Sequence, residues 1–318
     1  MLAAPGWPDQ RRDLRRQPIK QPAMSQHQQY SGPPGTPGSA PCPAASAQHA
    51  YLNAEYFSQA LGRSQPYGCF LPPAWERGEY LYPLLILLHG VAGDWHDWER
   101  YTRITRYLTG KPLIVVCPDG GDGWYSNAVN NGERREDDII EELLPHLEAA
   151  YPVTRGGRAA IGGLSMGGYG AVKLALKYPR HFPIAFSHSG AFDITLRPDR
   201  HPVFGEPDND ASFRRRENPA WLAEQALCRL PLERPKLYLD CGASDPLLEA
   251  NRGFSSHLNY IGYGHTYREM PGHHTWPYWD RAFRTVLPEL LTDLEAGGFK
   301  ADSASGSVIQ NHPTHIST

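Results

Sequence analysis

The clearest chemical signal in the sequence is a serine flanked by glycines. The segment GLSMG, residues 163–167, matches the pattern GxSxG, with a short apolar run before it and a helix-forming run after it. This context predicts a strand-to-helix turn that exposes the hydroxyl of Ser165 at the carboxyl end of a strand. Side chains at Gly163 and Gly167 would collide with the neighbouring strand or helix. The pattern therefore predicts a nucleophile, and no GxGxxG register fits the segment as a dinucleotide site would require.

A serine hydroxyl is a weak nucleophile until a base and an acid activate it. In this type of turn, the acid and then a histidine follow the serine along the chain. Asp245 is the leading candidate for the acid, because it lies in the turn after the apolar run Lys236–Asp240. Asp240, at the end of that run, and Glu249, on the helix that follows, are the competitors.

The base is expected in the loop EMPGHHTWPYWD, residues 269–280. His273 and His274 are adjacent, so their side chains cannot share one direction, and only one of them can reach Ser165. The residues alone do not choose between the two. Trp276 and Trp279 are predicted to anchor this loop and to start the last helix.

An oxyanion needs two backbone N–H donors. Met166 follows the nucleophile and is predicted to supply one of them. Val91, in the loop after the apolar run that ends LLHG, is predicted to supply the other. His89 is expected to brace this loop, and a role as a second catalytic base is the alternative.

Aromatic side chains near the predicted strand ends suggest a pocket for apolar or aryl ester groups. For Trp95 and its neighbour Trp98, packing in the core is the alternative. The arginines 214–216 suit either a carboxylate-bearing substrate or a solvated surface. The predicted substrate-binding residues are Trp95, Trp124, Tyr125, His273 and Trp276.

Short β-type runs alternate with helical runs, and several of the β-type runs are continuously apolar. This alternation predicts an α/β fold with a mostly parallel sheet covered by helices on both faces. The predicted strands are 67–70, 81–88, 113–117, 158–162, 184–187, 236–240 and 266–269. The predicted helices are 95–108, 136–151, 166–178, 219–227, 247–260 and 278–294.

Composition divides the chain into one domain and two tails. Residues 1–50 form a Pro/Gln-rich tail that is expected to be disordered, residues 51–299 the catalytic domain, and residues 300–318 a second disordered tail. Within the domain, residues 195–217 form an irregular insertion, either a lid over the site or a surface excursion.

Charge and cysteine content exclude several classes of protein. Lys and Arg total 31 against 34 Asp and Glu, so the net charge of −3 gives no field for nucleic acid or an anionic membrane. The sequence has no apolar run long enough for a membrane span. Five scattered cysteines and the lack of a signal peptide favour a cytoplasmic location. No metal or organic cofactor is expected, and nothing in the sequence indicates the oligomeric state.

The chain resembles the esterase D and tributyrin esterase-like branch of the α/β-hydrolases, which includes S-formylglutathione hydrolases and the antigen 85 mycolyltransferases. The matching segments are FLPPAW at 70–75, LLHG at 87–90, PDGGDGWY at 118–125, GLSMGG at 163–168, CGASD at 241–245 and PGHHTWPYW at 271–279. The resemblance implies an α/β-hydrolase fold and selects His274 as the base. Relatives often have an acidic residue where this chain has Thr275.

The predicted function is a serine carboxylesterase that hydrolyses small acyl or aryl esters through Ser165, Asp245 and His274. An acyltransferase, or a thioesterase like the S-formylglutathione hydrolases, would use the same triad. A catalytically silent binding protein is the alternative from another class.

Overall fold

A mixed β-sheet forms the centre of the computed structural model, which describes residues 48–78, 80–154, 159–199, 201–296 and 302–303. The described strands are β1 (Ala50–Ser58), β2 (Arg63–Leu71), β3 (Tyr80–Leu81), β4 (Leu84–Leu88), β5 (Ile114–Pro118), β6 (Ala160–Leu164), β7 (Ile184–His188), β8 (Lys236–Gly242), β9 (His265–Met270) and β10 (Asp302–Ser303). Eight of them form the main sheet, and β3 pairs with β10 outside it.

The strand order of the main sheet is β1-β2-β5-β4-β6-β7-β8-β9. β1 pairs antiparallel with β2, and β2 pairs antiparallel with β5. The six other strands of the sheet are mutually parallel, namely β5, β4, β6, β7, β8 and β9. The parallel strands therefore present their carboxyl ends at one edge, where an α/β sheet builds its sites.

Helices cover both faces of this sheet, as the sequence predicts. The α-helices of the described residues are α1 (Asp97–Tyr101), α2 (Ile104–Leu108), α3 (Arg135–Asp137), α4 (Leu144–Ala150), α5 (Met166–Lys177), α6 (Ala211–Arg216), α7 (Pro219–Ala226), α8 (Leu248–Tyr260) and α9 (Trp276–Ala296). A π-helical segment, Asp138–Leu143, joins α3 to α4. None of the helices in the described ranges is long and apolar enough to cross a bilayer.

Strand β4 shows why the central strands are continuously apolar. Leu85 and Leu87 pack in the cluster that holds α9, whereas Ile86 and Leu88 pack in the cluster on the opposite face, which holds α5. All four side chains are fully buried. Each such burial contributes roughly 1.5–3 kcal/mol, so a polar residue at any of these positions would be costly on either face.

The predicted elements differ from the structure in three places. The single strand predicted over 81–88 is two strands, because β3 ends at Leu81 and pairs with β10, whereas β4 begins at Leu84 in the main sheet. The single helix expected over 95–108 is two helices, because Thr102 between them is extended and its hydroxyl accepts a hydrogen bond from the N–H of Ile104. Strand β1 was not expected, because its exposed edge position leaves few buried apolar residues for a pattern to reveal.

The insertion at 195–217 is anchored to the domain. Phe204 is fully buried, Val203 is buried beside it, and α6 lies within the insertion. Its role as a lid stays a prediction. Of the tails that were expected to be disordered, only residues 48–50 and 302–303 lie within the described residues, and there Ala50 starts β1 and Asp302–Ser303 form β10.

Candidate active site

Ser165 lies at the turn between β6 and α5, at the carboxyl edge of the parallel strands. Its φ of 52° and ψ of −117° are a sparsely populated combination for a non-glycine residue, so the surrounding structure must hold it. A Cβ added at Gly163 would lie 2.6 Å from the carbonyl carbon of Gly167, and one at Gly167 would lie 2.6 Å from the Leu88 oxygen. Both glycines are therefore sterically required, as the sequence predicts.

The structure brings Ser165, His274 and Asp245 together. The Oγ of Ser165 lies 3.0 Å from Nε2 of His274, and Nδ1 of His274 lies 2.9 Å and 3.1 Å from the two carboxylate oxygens of Asp245. This arrangement places the proton on Nδ1 and leaves Nε2 free to accept the serine proton. Burial raises the pKa of the Asp245 carboxyl, but its hydrogen bond to His274 and the charge of that ring outweigh burial and hold the pKa below its ordinary value.

The two adjacent histidines lie in different surroundings. His274 packs edge-on against Trp279, with ring centroids 4.9 Å apart, and its side chain is only 13% exposed. His273 is exposed, and its carbonyl accepts a hydrogen bond from the N–H of Thr275. The geometry therefore gives His274, and not His273, access to the serine.

The two predicted oxyanion donors lie at the start of α5 and just after β4, the strand next to β6 in the sheet. Met166 opens α5, so its N–H is one of the unpaired donors of a helix N-terminus. Val91 follows Gly90 at the end of β4, and a Cβ added at Gly90 would lie 3.5 Å from Cβ of Ser165. Within the described residues, neither N–H donates a hydrogen bond to a protein acceptor.

His89 braces the loop that carries Val91. Its Nε2 accepts a hydrogen bond from the N–H of Gly120 at 2.8 Å, so the proton lies on Nδ1 and is donated to the oxygen of Gly90 at 2.7 Å. The hydroxyl of Tyr125 donates to the carbonyl of His89 at 3.0 Å. Three hydrogen bonds thus hold the chain just before Val91.

We therefore expect His89→Ala to lower kcat for ester hydrolysis by about 100-fold with a smaller change in KM, because a shift of ~1 Å in a positioning group has about this effect. Steady-state kinetics with p-nitrophenyl acetate measures both constants. His96→Ala is the matched control, because His96 lies in the same loop with a partly exposed ring beside Asp94. A folded His89→Ala protein with unchanged kcat would contradict this role.

The predicted substrate-side residues divide into two groups. Trp276 is half-buried two residues after His274, with its ring 5.1 Å from that of Tyr101, and Trp95 is half-buried. Tyr125 is fully buried and Trp124 nearly so, because Trp124 packs against Phe204 of the insertion. Their burial leaves little of either side chain exposed to a substrate.

The competing acids have other partners. The carboxylate of Asp240 accepts hydrogen bonds from Nδ1 of His188 at 2.6 Å and from the hydroxyl of Tyr278 at 2.7 Å. His188 also holds the nucleophile, because its carbonyl accepts the N–H of Ser165 at 2.9 Å. Glu249 pairs with Arg252 on the surface. The buried group around Asp240 was not predicted, although the polar SHS segment at the end of β7 was its visible signal.

A buried ion cluster supports the helix that follows the serine. Lys173 on α5 is fully buried, and its ammonium lies 2.8 Å from carboxylate oxygens of both Glu136 and Glu217. Lys177 bridges the same two glutamates at 2.5 Å and 2.8 Å. Lys173 also donates to the carbonyl of Tyr125. The cluster thereby joins α5, α3, the end of α6 and the segment at Tyr125, whose hydroxyl bonds the carbonyl of His89.

Metal binding has no evident site in the part of the chain that the structure describes. No group of three or more His, Cys, Asp or Glu side chains there is arranged to hold an ion.

The fold and the serine turn together define an α/β-hydrolase, and the comparisons with known proteins agree. The family model described as putative esterase matches residues 58–290. The chain belongs to this esterase family.

Individual relatives support the assignment. The esterase Rv1288 of Mycobacterium tuberculosis is 33% identical over 251 residues, which are 69% of this chain and 54% of that protein. The chain thus spans about half the length of this relative. FphF, a fluorophosphonate-binding serine hydrolase of Staphylococcus aureus, is similar with a TM-score of 0.69 and 26% identity over 77% of this chain and 99% of that one. The S-formylglutathione hydrolase FrmB of Staphylococcus aureus is similar with a TM-score of 0.67 and 26% identity over 77% and 100%.

Proposed function

We propose that this chain is a serine carboxylesterase acting on small acyl or aryl esters. The observation that carries the proposal is the 3.0 Å distance between Oγ of Ser165 and Nε2 of His274, with Asp245 bonded to the other ring nitrogen. In this proposal Ser165 is the nucleophile, His274 the general base and Asp245 the group that orients the ring and stabilises its cation.

The reaction proceeds in two acyl-transfer steps. Ser165 attacks the ester carbonyl while His274 takes its proton, and the N–H groups of Met166 and Val91 stabilise the negative oxygen. The proton then passes from His274 to the leaving alcohol, and the acyl group remains on the serine. Water loses a proton to His274 as it attacks the acyl-enzyme, and His274 then returns that proton to Oγ of Ser165 as the acid is released.

Exposed apolar side chains support a small apolar ester as the substrate. The side chain of Val91, whose N–H is a predicted oxyanion donor, is 51% exposed. Tyr101, whose ring lies next to that of Trp276, is 50% exposed. These surfaces favour an apolar acyl or alcohol group over a charged one.

The proposal includes a reducing, cytoplasmic setting and no nucleic-acid partner. Cys69, Cys117 and Cys241 are buried free thiols, and burial raises the pKa of each so that it stays protonated and unreactive. The net charge of −3 offers no general attraction for a polyanion.

A thioesterase is the second candidate, and the similarity to the S-formylglutathione hydrolase of Staphylococcus aureus favours it. The same acyl-enzyme would form from a thioester, with a thiolate as the leaving group. Comparing kcat/KM for p-nitrophenyl acetate and for a small thioester of equal acyl length distinguishes the two activities.

A fluorophosphonate probe tests the nucleophile directly. We expect the protein to hydrolyse p-nitrophenyl acetate, and we expect the probe to abolish this activity by adding one phosphonyl group to the peptide that contains Ser165, as measured by mass spectrometry. The probe should label Ser255→Ala as fully as wild type, because Ser255 is a buried serine on α8 whose hydroxyl bonds His265 and no member of the triad. Labelling of another residue, or activity that survives complete labelling, would overturn the proposal.

A further inference from the structure

A cavity of about 580 Å³ lies between the start of the insertion and helices α6 and α7. Arg197, Arg214 and Arg215 line it together with Trp221 and Leu196. Its lining includes none of the groups that hold Ser165. The N–H of Ala191 donates to the Ser165 carbonyl at 3.2 Å, and Thr195, four residues later, is within ~15 Å of Ala191 because a residue spans at most ~3.8 Å.

Arg214 is the unusual residue of this cavity. It is only 5% exposed, its two terminal nitrogens donate to the carbonyls of Arg197 and Asp199 at 2.6 Å and 2.8 Å, and its Nε has no hydrogen-bond partner. Among the described residues, no carboxylate lies within 4.0 Å of its guanidinium. Carbonyl oxygens satisfy two donors but leave the charge uncompensated, and an uncompensated buried charge is costly.

The other charged groups around the cavity do not supply that counter-charge. Arg197 is paired with Asp193, and Glu224, the acidic residue of the lining, lies 3.2 Å from His257. Arg215 lies over the ring of Trp221 at 5.5 Å. His201 cannot supply a negative charge in any protonation state, and burial followed by the charges of Arg214 and Arg197 lowers its pKa to about 4, so its ring stays neutral beside the arginines.

Apart from Thr195, Asn218 and the charged residues, the lining is apolar. Leu196 is 72% exposed, and Pro198, Pro207 and the face of Trp221 form the adjoining walls. A ligand that neutralises Arg214 therefore also meets an apolar and aromatic surface. This combination fits an organic acid better than a hydrated inorganic anion.

We propose that this cavity binds the carboxylate of an organic acid with an apolar or aromatic body, with Arg214 as the anion anchor and Trp221 as the surface for the body. The carboxylate belongs either to a free acid or to the distal end of an ester substrate. The second source rests on the proposed esterase function, whereas the first does not.

Binding of 3-phenylpropionate, measured by calorimetry on the Ser165→Ala protein, tests the site without turnover. We expect saturable binding that is at least about tenfold weaker for the neutral amide of the same acid, and at least about tenfold weaker in Arg214→Gln, because a charge-assisted hydrogen bond is lost in each case. Arg216→Gln is the matched control, because Arg216 is exposed on the same helix and carries the same charge.

If Arg214→Gln does not fold, Arg215→Gln takes its place in the test. Arg215 lines the same cavity, and because its side chain is exposed we expect this variant to fold. A severalfold loss of affinity in this variant supports the site. Three results would overturn the proposal. The acid and its amide could bind equally well, the substitution at Arg216 could weaken binding as much as the one at Arg214 or Arg215, or no saturable binding could be found at millimolar concentration.

A kinetic comparison separates the two sources of the carboxylate. If the substrate carries it, Arg214→Gln raises KM for the mono-p-nitrophenyl ester of glutaric acid and leaves KM for p-nitrophenyl butyrate unchanged. If a free acid is the ligand, both KM values are unchanged while binding of 3-phenylpropionate is still lost. Failure of all ester hydrolysis with intact 3-phenylpropionate binding would contradict the esterase proposal alone.

Discussion

Alanine at Ser165 or at His274 is expected to lower kcat for p-nitrophenyl acetate by about 10⁶-fold, whereas His273→Ala is expected to keep kcat within about tenfold of wild type. The reason is geometric, because only the ring of His274 reaches both Oγ of Ser165 and the carboxylate of Asp245. Steady-state hydrolysis of the purified variants, corrected for the spontaneous rate, measures the effect.

The double variant Ser165→Ala with His274→Ala sharpens this test. Because the two groups act as one unit, the double substitution is expected to lower kcat scarcely further than either single one. His273→Ala is the matched control, with the same chemical change one residue away at an exposed position. A large loss of kcat in His273→Ala, together with an active His274→Ala protein, would show that His273 and not His274 is the base.

The central strands could be predicted because burial on both faces leaves a continuous apolar run. In β4, every residue from Leu84 to Leu88 is buried. In contrast, β1 contains the exposed residues Leu52 and Phe57 and a mixed polar pattern, so no period identified it. The break between α1 and α2 at Thr102 could not be predicted either, because it depends on a side-chain hydrogen bond rather than on a glycine or proline.

The candidate site could be predicted where chemistry is local and could not where it depends on distant packing. Gly163 and Gly167 predict the turn at Ser165, because their lack of side chains allows the neighbouring backbone to approach closely. Tyr125 was expected near the substrate because it follows a glycine-rich loop, yet the structure buries it completely behind His89. Nothing in its neighbours along the chain indicates which way its ring turns.

Lys173 was unpredictable for the same reason, because its partners Glu136 and Glu217 are 37 and 44 residues away along the chain. Its one visible signal is a lysine within an otherwise apolar stretch of α5. We expect Lys173→Met to lower the free energy of unfolding by about 3–5 kcal/mol, because it leaves two buried carboxylates with one cation fewer. Urea unfolding followed by tryptophan fluorescence measures the change.

The pH dependence of stability gives an independent signature of this cluster. Burial raises the pKa of the Glu136 carboxyl, but the charges of Lys173 and Lys177 outweigh burial and lower it to about 2. A carboxyl with a depressed pKa stabilises the fold above its unfolded pKa of ~4.5, and that contribution is lost as the pH falls from there towards 2. In Lys173→Met the pKa of Glu136 rises, so the loss of stability across this interval should be smaller than in wild type.

Lys177→Met is the matched control for this prediction, since its ammonium contacts the same two glutamates but its side chain is 20% exposed. Solvent compensates a partly exposed charge, so its removal is expected to cost less than that of Lys173. Adding Glu217→Gln to Lys173→Met should recover part of the lost stability, because it removes one of the uncompensated carboxylates. Equal losses in the two lysine variants, or no recovery in the double variant, would show that side-chain packing rather than charge explains the effect at Lys173.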